Sequence, residues 1–226
     1  MTISRDGNYV ATSGHEQDTL IQIYEVKSGS LLGNIDTNEI KNVEMKMTPD
    51  DRCLAVSTYM REIAVIEYKK TEKFNKDSGS YEVTMKVQRN KSVSGIKLTI
   101  DSYDFSNDER FFVVSCENKK IKIFQNYGNL EESKLFSEFS GLTTPEGDKV
   151  SLYVSAFQLG KLTGFVAVSS GEDIYLYDCE GELLKVMKNA HDSKINLLKI
   201  ATDSEKNQPV IISAARDARF YIRNIN

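Results

Sequence analysis

The stretch Ser106 to Gln125, SNDERFFVVSCENKKIKIFQ, decides how this chain folds. It opens on the turn formers Ser106, Asn107 and Asp108, then runs through Phe111–Ser115, which are aromatic, β-branched or small. It turns again over Glu117–Lys120 and resumes as Ile121–Phe124, where apolar Ile121 and Ile123 flank a lysine. Two short runs of period two, separated by a tight polar turn, predict an antiparallel hairpin and exclude an amphipathic helix. The same order recurs in SRDGNYVATSGHEQDTLIQIYE (4–25), TPDDRCLAVSTYMREIAVIE (48–67), LGKLTGFVAVSSGEDIYLYD (159–178) and DSEKNQPVIISAARDARFYIRN (203–224). The chain is therefore expected to be all-β, with too many short strands for a doubly wound α/β fold.

Alignment of the five stretches puts Ile21, Ile63, Ile121, Ile174 and Phe220 at one third-strand position, at spacings of 42, 58, 53 and 46 residues. A repeat of about 40 to 45 residues is the length of one four-stranded propeller blade, so the two middle spacings carry insertions. Such a sheet cannot bury both faces alone. The alternating Ile, Val, Phe and Tyr residues supply the faces through which neighbouring sheets stack. The expected units are residues 1–36, 41–89, 96–139, 148–188 and a partial last one at 193–226, which lacks a fourth strand. The insertions at 69–83 and 138–149 carry turn residues, Asp77-Ser78-Gly79-Ser80 in the first and Gly141, Pro145 and Gly147 in the second. Both are expected on the rim, each as a plain solvated hairpin or as a loop able to meet a partner.

At this point the chain resembles the WD-repeat β-propeller family. The family's third strand ends in Trp-Asp, and the matching pairs here are Tyr24-Glu25, Ile66-Glu67, Phe124-Gln125, Tyr177-Asp178 and Arg223-Asn224. The sequence contains no Trp, so the repeat is degenerate. The resemblance implies structural roles for Tyr24, Phe124 and Tyr177 at that position, and for Asp18, Asn118 and Asp217 as the acid or amide of the turn before the third strand. It also implies a hydrogen-bonded set of His, Ser, Asp and Trp within a blade. The last unit keeps His191, Ser213 and Asp217 for that set and has Arg223 where the Trp belongs. The four units and partial fifth are expected to be the C-terminal part of a larger, seven-bladed propeller, with a compact five-bladed ring as the alternative. A half ring exposes apolar faces and free strand edges, which call for closure or a covering partner.

Within the family, LLGNIDTNEIKN (31–42), YDFSNDERFFVVS (103–115), GEDIYLYDCEGE (171–182) and AHDSKINLLKI (190–200) are similar to the transducin beta-like subfamily associated with the endoplasmic reticulum and its stress kinase. This implies a scaffold that binds the stress kinase and associates with translation components or mRNA, in the cytoplasm or on the cytosolic face of the endoplasmic reticulum. The subfamily's N-terminal membrane anchor has no counterpart in this sequence, and no catalytic residue or cofactor is implied.

The residues themselves point the same way. A formal charge of −4 creates no field drawing the whole molecule to nucleic acid. The clusters Tyr68-Lys69-Lys70 with Phe74, and Lys119-Lys120-Ile121-Lys122, are the nearest to a basic groove with aromatics, and leave an RNA- or ribosome-associated binding module as the second reading. Three cysteines without CxxC spacing read as small buried hydrophobes in a reducing compartment, not as a disulfide or zinc framework. No run of 18 apolar residues predicts a membrane span. There is no HExxH, GxSxG, GxGxxG or GxxxxGK motif, so an enzyme with a central-channel site is a remote third reading. The leading expectation is a protein–protein interaction scaffold, with Tyr59, Met60 and Arg61 in the second unit, and Phe139 and Leu142 by the second insertion, as candidate partner-binding residues.

Overall fold

A computed structural model of the chain describes residues 1–13, 20–36, 42–48, 50, 53–58, 63–75, 80–93, 96, 98–108, 110–117, 119–125, 132–140, 153–159, 163–203, 205–206 and 208–225. Among these the regular structure is all β, in five small antiparallel sheets taken up in sequence order. The chain divides into two compact units, residues 1–97 and 98–226.

The first unit holds two four-stranded sheets. One is β1 (Thr2–Ile3), β2 (Tyr9–Ser13), β3 (Leu20–Glu25) and β4 (Leu31–Asp36); the other is β5 (Asn42–Met47), β6 (Cys53–Thr58), β7 (Ile63–Asn75) and β8 (Ser80–Ser92). Each strand pairs with the next in the chain. Alternation along β3 buries Ile21 and Ile23 on one face, where they meet Met45, Met47, Leu54, Val56 and Ile66 of the second sheet. Full burial of one such isoleucine contributes about 2 kcal/mol. The Met47 N–H donates to Thr2 Oγ1 at 3.2 Å, tying β5 to β1.

The described residues of the insertion at 69–83 are strand, so of the two readings the hairpin is the form it takes. β7 and β8 pair from Ala64↔Ser92 to Asn75↔Ser80, whereas β6 reaches only Glu67 of β7. The eight pairs from Tyr68↔Val87 to Asn75↔Ser80 thus form a two-stranded ribbon beyond the end of β6. The reason is legible afterwards: Tyr68, Thr71, Phe74, Tyr81, Val83 and Thr84 are strand formers, and only residues 76–79 hold turn chemistry.

The second unit holds three sheets. They are β9 (Ile100–Phe105), β10 (Phe111–Cys116), β11 (Ile121–Gln125) and β12 (Lys134–Phe139); then β13 (Tyr153–Leu159), β14 (Thr163–Ser170), β15 (Asp173–Asp178) and β16 (Leu183–Met187); and last β17 (Ile195–Asp203), β18 (Gln208–Ala215) and β19 (Phe220–Asn224). Val113, Ile121 and Ile123 pack against Val166, Val168 and Tyr177, and Ile174 and Leu176 pack against Ile195, Leu198, Ile200 and Ile211. The opposite face of the β9–β12 sheet carries a cross-strand aromatic row, Phe105–Phe112–Phe124, with the last two rings stacked at 4.7 Å. The first strands β9, β13 and β17 lie side by side. Across them Lys199 Nζ donates to both carboxylate oxygens of the buried Asp104, at 2.7 and 2.8 Å.

Candidate functional site

The polar groups that the fold concentrates lie at one corner of the last sheet. The turn after β16 presents His191, and the β18–β19 turn presents Asp217. Asn189 adopts φ +49° in the first turn, where its N–H donates to Asp173 Oδ1 at 2.8 Å. Ala218 adopts φ +60° in the second, a conformation that costs a non-glycine residue about 1 kcal/mol. The two turns are then held together by side chains.

His191 Nδ1 donates to Asp217 Oδ2 at 3.0 Å, and the same oxygen accepts the Asp192 N–H at 3.2 Å. Asp217 Oδ1 accepts the Arg219 N–H at 3.0 Å. On the other side His191 Nε2 faces Ser213 Oγ at 2.9 Å, and Ser213 Oγ accepts from Arg223 Nη1 at 3.1 Å. Arg223 also donates to the Ala190 carbonyl and lies 4.2 Å over the Tyr221 ring, whose centroid is 4.8 Å from that of His191. A guanidinium can only donate and a carboxylate can only accept. The hydrogen bonds therefore run in one direction, Arg223 to Ser213 to His191 to Asp217, with the proton on Nδ1. The corner brings together His191, Ser213 and Asp217, and adds Arg223 where an aromatic ring was the family expectation. Burial pushes the Asp217 carboxyl up, but the bonds from Arg219 N–H, His191 and Asp192 N–H outweigh it and hold the pKa below the usual carboxylate value.

Ser–His–Asp in hydrogen-bonded order is also the layout of a nucleophile relay. Here Ser213 is 0% exposed and its oxygen is already shared between His191 and Arg223. No substrate atom reaches it without opening the sheet. What the arrangement does chemically is satisfy buried polar groups and lock two turns.

The other expected residues are distributed as follows. Tyr24 is half-buried and its hydroxyl donates to Gln22 Oε1 at 3.0 Å. Phe124 is buried in the aromatic row. Tyr177 is buried with its ring 4.8 Å from Phe139, and burial raises its hydroxyl pKa. Phe139 is thus half-buried in packing, and its ring lies within 3 Å of where a Cβ on Gly181 would be, a glycine at φ +93°. Asp18, Asn118, Tyr59, Met60, Arg61 and Leu142 lie outside the described residues.

A repeated polar device was missed in sequence. Ser4, Thr48 and Ser106 each donate a hydroxyl to the acid two residues on, Asp6, Asp50 and Asp108. Each also accepts the N–H of the residue five on, Tyr9, Cys53 and Phe111, at 2.9–3.0 Å. The signal, Ser/Thr-x-Asp at the head of three of the five quoted stretches, was present in the letters.

Of the thiols, only Cys116 is fully buried; Cys53 and Cys179 are half-buried, which narrows the expectation for all three. Burial pushes Cys116 and Cys179 up to about 11, so both remain protonated at neutral pH. Among the described residues no group of three or more His, Cys, Asp or Glu side chains is placed to hold a metal ion. No helix among them is long and apolar enough to cross a membrane. No family model matches the chain, and no curated protein matches it.

Proposed function

We propose that this protein is a protein–protein interaction scaffold whose five sheets are consecutive blades of a WD-type β-propeller. The observation that carries the reading is the corner of the last sheet, where His191, Ser213, Asp217 and Arg223 are engaged with one another and fix two turns. The blade assignment draws support from the order of the sheets, the side-by-side first strands β9, β13 and β17, and the aligned burial of Ile21, Ile63, Ile121 and Ile174. Apolar residues on outer strands, including Leu135, Phe136, Leu183 and Leu184, are exposed and offer contact area for a partner. By resemblance the partners are a stress kinase and translation components, met in the cytoplasm or on the cytosolic face of the endoplasmic reticulum.

A specific observation favours a second reading, an RNA- or ribosome-associated module: the β7–β8 ribbon carries Lys69, Lys70, Lys73 and Lys86. Native purification with and without ribonuclease separates the two. The scaffold predicts protein partners that persist after ribonuclease, and the module predicts their loss. A partner-free protein in both samples would overturn both.

A further inference from the structure

The outer strands β12 and β16 belong to neighbouring sheets of the second unit, and both carry exposed apolar side chains. Ser137 Oγ of β12 donates to the Cys179 carbonyl at 2.7 Å, which brings β12 against the β15–β16 turn. On the third sheet, Phe111 packs on the core between the two sheets, and the Phe136 ring meets it edge-on at 5.4 Å. On the fourth, Leu183 pairs with Tyr177, so the two share a face, and Tyr177 packs on Phe139 of β12. Leu183 therefore lies on the side of its sheet that meets the third sheet. Yet Phe136 is 46% exposed and Leu183 48% exposed. The cleft between the sheets is filled at its floor by Val113, Ile123, Val166 and Tyr177, and is open at its outer mouth.

Carboxylates rim that mouth. Asp178 ends β15, and its Oδ1 accepts the N–H groups of Glu180 and Glu182 in the following turn, at 2.9 and 2.8 Å. The side chains of Glu180 and Glu182 are themselves exposed. Asp108 approaches from the β9–β10 turn of the other sheet. Its charge, with those of Asp178 and Glu180, adds to burial in pushing the Cys179 thiol up to about 11. Arg110 and Lys134 stand on the third-sheet side, and Arg110 is engaged with Asp108. The acids outnumber these cations. An apolar floor inside an acidic rim favours a basic occupant, and the same charge repels nucleic acid and anionic lipid.

We propose that the outer mouth of the cleft between the third and fourth sheets docks a basic segment of a partner protein, with a Leu or Phe side chain beside Phe136 and Leu183 and Lys or Arg groups against Asp178, Glu180 and Glu182. Phe136 and Leu183 supply the desolvated contact that carries most of the affinity, and the carboxylates select the partner by rejecting acidic competitors. This inference deepens the scaffold reading, on which it rests for its view that the partner is a protein.

The test titrates the full chain with the labelled peptide KRLFKRLF. Saturable binding at a single site is expected, with the amide signals of Phe136 and Leu183 among those that shift. Glu180→Lys with Glu182→Lys should weaken it about tenfold, and the peptide EELFEELF should bind that variant and not the parent. Leu183→Ser should weaken binding about tenfold as well, whereas Leu197→Ser, at a comparably exposed leucine on β17 of the last sheet, should leave it unchanged. Folding of each variant is checked by circular dichroism. The proposal is overturned by absence of saturable binding, by indifference to the charge reversal, or by an equal loss in the Leu197→Ser protein. It is equally overturned by a mass that grows with concentration and falls back in the charge-reversed variant, because that assigns the mouth to a second copy. Natural partners that co-purify unchanged with the charge-reversed and Leu183→Ser proteins would sink the docking site and leave the scaffold standing.

Discussion

His191 shows how much one side chain can organise when both ring nitrogens are used. His191→Ala leaves Ser213 and Asp217 short of a buried partner, and should cost roughly 2 kcal/mol in a urea unfolding experiment. Asp217 gives that corner a pH dependence. Its folded pKa lies below the unfolded value near 4, so its contribution is present above that value and is lost as pH falls through the folded pKa. The Asp217→Asn variant should be less stable than the parent at pH 7, with the difference shrinking below about pH 4; parallel melts across pH 2–7 would reveal it. Gly181 is fixed by backbone and space together, since φ +93° is rarely adopted by other residues and Phe139 fills the side where a Cβ would go. Gly181→Ala should therefore lose about 2 kcal/mol by thermal or urea unfolding, more than exposure alone suggests. The histidine set was an expectation of the family resemblance, with Ala190-His191, Ser213 and Asp217 standing at the matching places. Arg223 was legible only as a departure, because nothing in sequence says that a guanidinium can stack on Tyr221 and still reach Ser213.

At the scale of elements, the hairpins owe their form to period-two alternation and to turn residues, both visible in the letters. The Ser/Thr-x-Asp turns explain why three of the five quoted stretches begin where they do: the hydroxyl replaces a missing ladder partner at the head of those hairpins. Ser106 is 1% exposed and serves Asp108, the Phe111 N–H and the Phe111 carbonyl. Ser106→Ala should then cost about 1–2 kcal/mol, measurable as a lower urea midpoint with unchanged slope. The letters of the β7–β8 ribbon fit both a hairpin and a partner-binding loop, because its lysines and Asp-Ser-Gly-Ser turn resemble loop chemistry. Register decides for the hairpin, through cross-strand partners such as Phe74↔Tyr81 and Thr71↔Thr84.

For the whole molecule, the distribution of apolar residues is as informative as the core. Phe220 and Ile222 are exposed on a strand whose counterparts are buried, so their loss removes no packing. Phe220→Thr with Ile222→Thr should change stability by less than about 0.5 kcal/mol in urea unfolding. The sequence by itself determined the all-β class, the five strand-turn-strand stretches and the pairing of neighbours, because local alternation and turn chemistry fix which residues face a core and where the chain reverses. Only the tertiary structure decided how far the 69–83 insertion extends its sheet, that Phe139 packs on Tyr177, and that Arg223 closes the histidine corner. Each of those depends on which distant residues come within reach, and that is a property of stacked sheets that no local window contains.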